Sequence, residues 1–298
     1  MKSISIVIPN WNGASKLRRH LPKVIEAAQA GGAAEIIVVD DASADDSRQI
    51  ITSEFPQVKF IEKIKNSGFS STVNLGVKEA KGKLVALLNN DASPDRSFLQ
   101  AALIHFQNEK IFSVSCNVGG NWTTAKFENG YFWHQQATGG VDRTKPHKTL
   151  WSSGGSGIFR KDIWQELEGL DELFDPFYEE DTDLGYRAIK RGYLNMWEPL
   201  SLVEHYKEEG VIASNFSQQT IERIAQRNQL FFIWKNITDK ELMSEHEKAL
   251  ISRLSRYPKY WLVFTSALVK LPEVLKKRKK EKQKSRLTDR EILEMFAS

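Results

Sequence analysis

Apolar runs that end directly in polar or acidic residues constrain the fold of this chain more than any other feature. Residues 35–40 read EIIVVD and residues 83–89 read KLVALLN, with helix-like segments between such runs along the first hundred residues. Strands that are apolar on both faces are typical of parallel sheets covered by helices. We therefore predict an α/β fold with a doubly wound, mostly parallel central sheet and right-handed crossovers.

Helical periodicity predicts most of the remaining elements. One predicted helix covers residues 15–30, with a break or late start at Pro22 because proline removes a backbone donor. Another covers residues 94–108. Residues 119–150 lose this periodicity and are predicted to form irregular strands and loops. Beyond Phe216 the pattern is helical, with predicted helices at 216–235, 239–255, 258–271 and 273–284.

Composition excludes several classes of protein. The single cysteine, Cys116, rules out an internal disulfide and a zinc site built from several cysteines. No stretch approaches the roughly 18 consecutive apolar residues that a membrane-spanning helix needs. The first residues are too short and too alternating for a signal peptide. A cytoplasmic protein is the simplest interpretation.

Charge is distributed unevenly along the chain. The net charge is +4, yet residues 270–286 contain nine basic and two acidic side chains, which leaves −3 for the rest. Just before and within this run, apolar residues recur with alternating spacings of three and four. An apolar face beside basic residues is typical of a helix that lies on an anionic membrane surface. The alternative is a helix packed on the body, followed by a solvated charge run. The apolar residues are Trp261, Phe264, Leu268, Leu271 and Leu275.

Acidic residues follow two of the predicted buried strands. Asp40 and Asp41 come directly after IIVV, and Asp91 follows ALLNN. Ligands of open α/β sheets bind outside the carboxyl ends of the strands, where such carboxylates can bind a ligand or a metal. Each could instead cap the next helix.

A third acidic cluster covers residues 179–183, with the sequence EEDTD. A helix that starts near Glu180 would place these carboxylates at its positive end, which is stabilising by itself. The functional alternative is a general base that deprotonates a hydroxyl. The two interpretations stay open at this point.

Six motifs, taken in order and spacing, resemble the family 2 glycosyltransferases, which are inverting nucleotide-sugar transferases of the GT-A fold. The resemblance covers residues 3–235. Its donor side includes SIVIPNWN at 5–12, VVDDASAD at 38–45 and NSGF at 66–69. The resemblance implies that Asp40 binds the pyrimidine base of a UDP- or dTDP-sugar. It implies further donor contacts by Pro9, Asn12, Asn66, Gly68, Asn74 and Asn90.

The metal, base and acceptor sides resemble the same family. Residues 89–91 read NND, so the first carboxylate of the family's DxD element is absent. The resemblance then implies that Mg²⁺ or Mn²⁺ is held by Asp91, with His205 as a second ligand. The segment EDTDL at 180–184 matches the element that carries the catalytic base, which implies that Asp181 is the base. The implied acceptor-side residues are Gly154, Gly155, Glu180 and Arg187.

These motifs imply a catalytic domain at 1–235 and a helical, basic extension at 236–298. The implied partners are a nucleotide-sugar donor and a saccharide or lipid-linked acceptor of cell-surface polysaccharide synthesis, but no nucleic acid. The basic tail adds an anionic membrane surface, so the expected location is peripheral, at the inner face of the cell membrane.

Two alternative functions require features that differ from this sequence. A sugar-phosphate nucleotidyltransferase needs a basic, glycine-rich loop after the first strand, whereas residues 10–13 read NWNG. A non-catalytic membrane- or nucleic-acid-binding protein would rely on the tail. A nucleic-acid binder should spread basic and aromatic residues over a groove, and here the basic residues form one terminal stretch.

Overall fold

The computed structural model describes residues 3–138, 140–205 and 215–297. Over these residues it contains eleven strands. They are β1 (Ile4–Asn10), β2 (Glu35–Asp40), β3 (Lys59–Glu62), β4 (Leu84–Leu88), β5 (Ala92–Pro94), β6 (Ile111–Asn117), β7 (Thr123–Glu128), β8 (Tyr131–Gln136), β9 (His147–Lys148), β10 (Ser156–Arg160) and β11 (Leu194–His205).

Nine of these strands form the central sheet. Its order is β3-β2-β1-β4-β10-β6-β11-β5, and β9 pairs with β11. The first four strands are parallel, β10 enters antiparallel between β4 and β6, and β6 is parallel to β11. β7 and β8 form a separate hairpin. The predicted α/β architecture is confirmed.

Six helices precede the C-terminal helices in the described residues, and the first corrects a prediction. α1 runs unbroken through Pro22, so the predicted break is wrong. A proline inside a helix costs about 3 kcal/mol. Burial of Leu17, Leu21 and Val24 in the sheet's core offsets this loss. The helices are α1 (Ala14–Gly31), α2 (Ser47–Glu54), α3 (Phe69–Glu79), α4 (Phe98–Leu103), α5 (Lys161–Glu166) and α6 (Glu180–Lys190).

The predicted helix at 94–108 is shorter than expected. Its first predicted residue belongs to β5, which pairs antiparallel with the end of β11. α4 starts only at Phe98, and a 3₁₀ helix at Ile104–Gln107 follows it. Pairing with a distant strand overrode the local helical pattern. The same pairing sets His205 opposite Ala92, beside Asp91.

Five further helices follow residue 217. With α6 and the β7–β8 hairpin they enclose one apolar cluster that includes Phe132, Tyr186, Phe232, Val263 and Val274. Residues from both sides of position 235 therefore share this core. No helix in the described ranges is long and apolar enough to cross a membrane. The helices are α7 (Gln218–Asn236), α8 (Lys240–Arg256), α9 (Tyr260–Leu268), α10 (Leu271–Lys284) and α11 (Asp289–Glu294).

Candidate active site

A cavity of about 680 Å³ lies where the carboxyl ends of β1, β2 and β4 meet the first turn of α6. This is the edge at which open α/β sheets bind their ligands. Its walls combine apolar side chains with carboxylates and amides. Its lining is Pro9, Asn10, Trp11, Asp41, Asn66, Gly68, Phe69, Thr72, Asn89, Asn90, Asp91, Ser153, Gly155, Pro176, Phe177, Tyr178, Glu180, Asp181, His205 and Phe216.

The two aspartates at the end of β2 have different surroundings. Asp40 is 1% exposed and its carboxylate is saturated by the side chain of Asn10 at 2.7 Å and by the backbone N–H and hydroxyl of Ser43 at 2.8 and 2.6 Å. It fixes the turn after β2 and does not line the cavity. Asp41 does line it. The carboxylate predicted to meet the donor is thus turned inward, because Ser43 and Asn10 supply its hydrogen bonds.

Asp41 shapes the segment that carries Asn66 and Gly68. It accepts hydrogen bonds from the backbone N–H groups of Ser67 and Gly68, both at 2.9 Å. It also pairs with Lys63 at 2.7 Å, and both side chains are largely buried. Asn66 and Gly68 therefore reach the cavity wall.

The turn after β1 is held by its amides. The Asn12 backbone N–H donates to Ser43, and its side-chain oxygen accepts from the N–H of Ala44 at 2.8 Å. Asn12 therefore joins two turns and is not part of the lining, whereas Pro9 and Asn90 are. The Asn90 amide donates to the side chain of Asn10 at 2.8 Å, which links β1 and β4 at their ends.

Asn74 and Arg187 do not reach the cavity either. Asn74 donates to the carbonyl of Leu170 at 2.8 Å and accepts from its N–H at 3.0 Å. Arg187 is 2% exposed and donates to Asp183 and to the carbonyls of Leu167 and Gly169. Both side chains hold the 167–170 loop. The expectation that Arg187 faces an acceptor is wrong, because these partners consume its donors inside the protein.

Asp91 and His205 meet at the cavity wall. The Asp91 Oδ1 and His205 Nε2 atoms are 2.9 Å apart, and the Asn89 amide lies 3.3 Å from the same ring nitrogen. Burial by itself raises the pKa of Asp91, but the hydrogen bond and charge of His205, together with the charge of Lys16 and a backbone hydrogen bond, leave this pKa below its ordinary value. An ionised carboxylate beside an imidazole is a donor set that suits Mn²⁺ or Mg²⁺.

This pair fits a metal whose remaining ligands come from a substrate. The described residues contain no group of three or more His, Cys, Asp or Glu side chains placed to hold a metal ion. Mg²⁺ is commonly bound by one or two carboxylates together with substrate phosphates and water. Over the described part of the lining there are four carboxylates and neither Lys nor Arg. A cation held by Asp91 and His205 would offset the charge of a diphosphate in this cavity.

Asp181 lies in the first turn of α6. The Gly154 N–H donates to its Oδ2 at 3.0 Å, and its buried Oδ1 has no hydrogen-bond partner among the described residues. Burial raises the pKa of Asp181 to about 7. Burial and the charge of Asp181 raise the pKa of Glu180 well above its ordinary value. A carboxylate with this pKa and a free oxygen can accept a proton near neutral pH.

Close packing explains the glycines opposite Asp181. A Cβ on Gly154 would lie 2.9 Å from Asp181 Oδ1 and 3.2 Å from the Phe69 ring. A Cβ on Gly155 would lie 2.5 Å from the amide of Asn89. The loop can approach the first turn of α6 and the end of β4 only without side chains here.

The sequence did not predict the aromatic side of the cavity. The Phe177 ring lies 4.9 Å from Tyr178 and 5.0 Å from Phe216, in edge-on geometry. Trp11 and Phe69 contribute further aromatic surface. The Phe177–Tyr178 pair directly precedes the acidic cluster, and this was the signal available in the sequence.

Comparisons with known proteins define the class first. GalNAc-T7 with UDP, GalNAc and Mn²⁺ superimposes with a TM-score of 0.65 at 17% identity, covering 84% of this chain and 54% of that one. The mannosyltransferase PcManGT from Pyrobaculum calidifontis, with GDP-Man and Mn²⁺, gives 0.58 at 16%, covering 95% and 85%. The chain has the fold of these GT-A enzymes.

Sequence comparison then gives the family. The family model for glycosyl transferase family 2 matches residues 5–167. The pre-mycofactocin glycosyltransferase of Mycobacterium tuberculosis is 26% identical over 213 residues, which covers 68% of this chain and 43% of that protein. The chain thus spans less than half the length of this relative. It belongs to glycosyltransferase family 2, which argues against the nucleotidyltransferase alternative.

Proposed function

We propose that this enzyme transfers a sugar, with inversion, from a UDP- or dTDP-sugar to a saccharide or lipid-linked acceptor in cell-surface polysaccharide synthesis. One observation carries the proposal. The Asp91–His205 pair and Asp181 line the same cavity, so a leaving diphosphate and an attacking hydroxyl each have a matching group.

The donor half of the proposal rests on the ends of β1, β2 and β4. Pro9, Asn66, Gly68 and Asn90 line the cavity there and supply polar contacts for a nucleoside. We assign the wall position near the base to Asp41, since Asp40 is enclosed by its own turn. The similar enzymes solved with UDP and with GDP-Man are consistent with a nucleotide-sugar donor.

Asp91 and His205 would hold Mg²⁺ or Mn²⁺ through a carboxylate oxygen and a ring nitrogen. The bound cation would neutralise charge on the leaving diphosphate. The Asn89 amide lies 3.3 Å from this same His205 Nε2 atom, so it would have to give up that contact when the ring nitrogen holds the cation. The described lining has four carboxylates and neither Lys nor Arg, which supports this assignment.

Asp181 would take the proton of the acceptor hydroxyl through its free Oδ1. Gly154 holds the other oxygen, which orients the carboxylate. Direct displacement by the activated hydroxyl inverts the anomeric centre. Glu180, whose pKa is raised well above its ordinary value by burial and by the charge of Asp181, lies beside it on the cavity wall and offers a second carboxyl group to the acceptor. The Phe177, Tyr178 and Phe216 rings offer an apolar wall to the face of a sugar ring.

Calorimetric titration of UDP, dTDP and GDP, with and without MnCl₂, tests the donor and metal assignments together. We expect Mn²⁺ to strengthen binding of a uridine or thymidine diphosphate, Asp91→Ala to abolish that gain, and His205→Ala to reduce it. Glu109→Ala, which removes an exposed carboxylate outside the cavity, is the matched control. Unchanged Mn²⁺ dependence in Asp91→Ala would overturn the metal assignment, and tighter binding of GDP would overturn the donor class.

A further inference from the structure

Helix α9 is apolar on both of its sides. Tyr260, Val263 and Ala267 are buried in the shared apolar core. At about 100° per residue, a second set of apolar residues lies on the opposite side of the helix. An apolar helix face normally packs against something, and within the described residues nothing covers this one. The exposed residues are Trp261 (50%), Leu262 (61%), Leu268 (39%) and Val269 (79%).

This exposed face differs from the one expected from the sequence. Phe264 and Leu271 are partly buried against the core, and Phe264 packs edge-on against Trp234 at 6.2 Å. They therefore belong to the docked side of the tail. On α10, Leu275 is 50% exposed and Val274 is buried. α9 and α10 follow each other in the chain, and both pack against α7.

The basic run is divided by the structure into two sets. Lys277 pairs with Asp171 at 2.7 Å, Lys280 pairs with Glu168, and Arg278 donates to the carbonyl of Trp234 at 2.7 Å. These cations hold α10 to the body. A second set is exposed and has no ion-pair partner in the part of the chain that the structure describes. It consists of Lys276, Lys279 and Lys282.

We propose that this surface, made of Trp261, Leu262, Leu268, Val269 and Leu275 with Lys276, Lys279 and Lys282, docks on an anionic lipid surface. Apolar side chains beside unpaired lysines match the acyl boundary and the phosphates of such a membrane. A second copy of this chain fits less well, because it would bring two lysine clusters together. If the proposed glycosyl transfer is correct, this docking would place the reaction at a membrane surface. The docking test uses no sugar donor, so its outcome does not depend on the proposed function.

Sedimentation with vesicles tests the docking of the full chain. We expect binding to vesicles of phosphatidylglycerol and phosphatidylcholine in equal parts, but not to phosphatidylcholine alone. Because part of the attraction is electrostatic, binding should weaken as salt is raised. No binding to the anionic vesicles, or equal binding to both kinds, would overturn the proposal.

Point variants locate the surface, since truncation after Tyr257 would remove Val263, Ala267 and Val274 from the core. Lys276→Gln with Lys279→Gln should weaken vesicle binding about fivefold per lysine, whereas Lys81→Gln with Lys83→Gln, with the same charge change before β4, should not.

The apolar part of the surface has its own variant. Trp261→Ser with Leu268→Ser should weaken binding at least tenfold, and Ile104→Ser, at an exposed site (63%) outside these helices, is the control. Equal losses in target and control variants would contradict the assigned surface. Analytical ultracentrifugation without lipid adds a second check. A dimer that Trp261→Ser with Leu268→Ser dissociates would show that a second copy covers the face instead.

Discussion

The buried charged side chains at the two ends of helix α6 have different partners. At its start, Glu180 and Asp181 have raised pKa values and no cation beside them in the described structure. From Asp183 onward, the buried charges of α6 and of Arg191 just after it are paired. These pairs are Asp183 with Arg187 at 2.7 Å, Lys190 with Asp289 at 2.8 Å, and Arg191 with Glu281 at 2.9 Å.

This difference separates the unpaired carboxylates, which we assign to catalysis, from the paired charges, which stabilise the fold. Unpaired buried carboxylates destabilise the folded state, and such strained groups cluster at functional sites. The paired charges connect the C-terminal end of α6 to α10 and α11. The N-terminal end of α6 faces the cavity. Four predictions test this division.

Breaking a buried ion pair at the C-terminal end of α6 should have the largest effect on the free energy of unfolding. Lys190→Met leaves Asp289 buried without its cation, which should cost about 3–5 kcal/mol. Urea unfolding followed by tryptophan fluorescence measures this loss. Lys280→Met is the matched control, because it breaks an exposed pair with Glu168 and should cost at most about 1 kcal/mol. Equal losses in both would contradict the comparison.

Removing the proposed base at the N-terminal end of α6 should instead lower turnover. Asp181→Asn keeps the shape of the side chain but cannot accept a proton, so transfer should fall on the order of a hundredfold or more. Calorimetry should show unchanged binding of the nucleoside diphosphate. Near-parental turnover in a folded Asp181→Asn variant would remove Asp181 from the role of base.

The pH dependence of the parent enzyme should reflect the same group. Burial raises the pKa of Asp181 to about 7, so the base is protonated below that pH and ionised above it. We expect kcat/KM to rise by about tenfold per pH unit below pH 7 and then to level off. A flat profile between pH 5 and 8 would argue against a buried carboxylate as the base.

The smallest expected effect is a gain in stability. The pKa of Asp181 is raised from 3.8 to about 7, so the folded state binds this proton more tightly than the unfolded state does. Its ionisation therefore destabilises the protein as pH rises from about 4 to 7, and the loss persists above. Asp181→Asn should be more stable than the parent at pH 8, and this difference should vanish near pH 4. A variant that is less stable at pH 8 would contradict this account.

Much of the site could be predicted from sequence because its residues follow strands or start a helix. Asp91 and Asp181 occupy such positions, whereas His205 and Glu180 are implied by the family resemblance; all four line the cavity. Arg187 was misassigned because a basic residue in a motif does not reveal whether its donors point outward. The aromatic wall was missed because Phe216 is distant in sequence from Phe177 and Tyr178.

The sequence by itself determined the α/β architecture, since buried parallel strands require continuous apolar runs and those runs are local. It also determined which strand ends carry acidic and amide groups. Only the tertiary structure decided that Asp41 rather than Asp40 reaches the cavity, that α1 continues through Pro22, and which tail lysines pair with the body. These outcomes depend on hydrogen bonds and contacts between residues far apart in the chain, which local patterns do not encode.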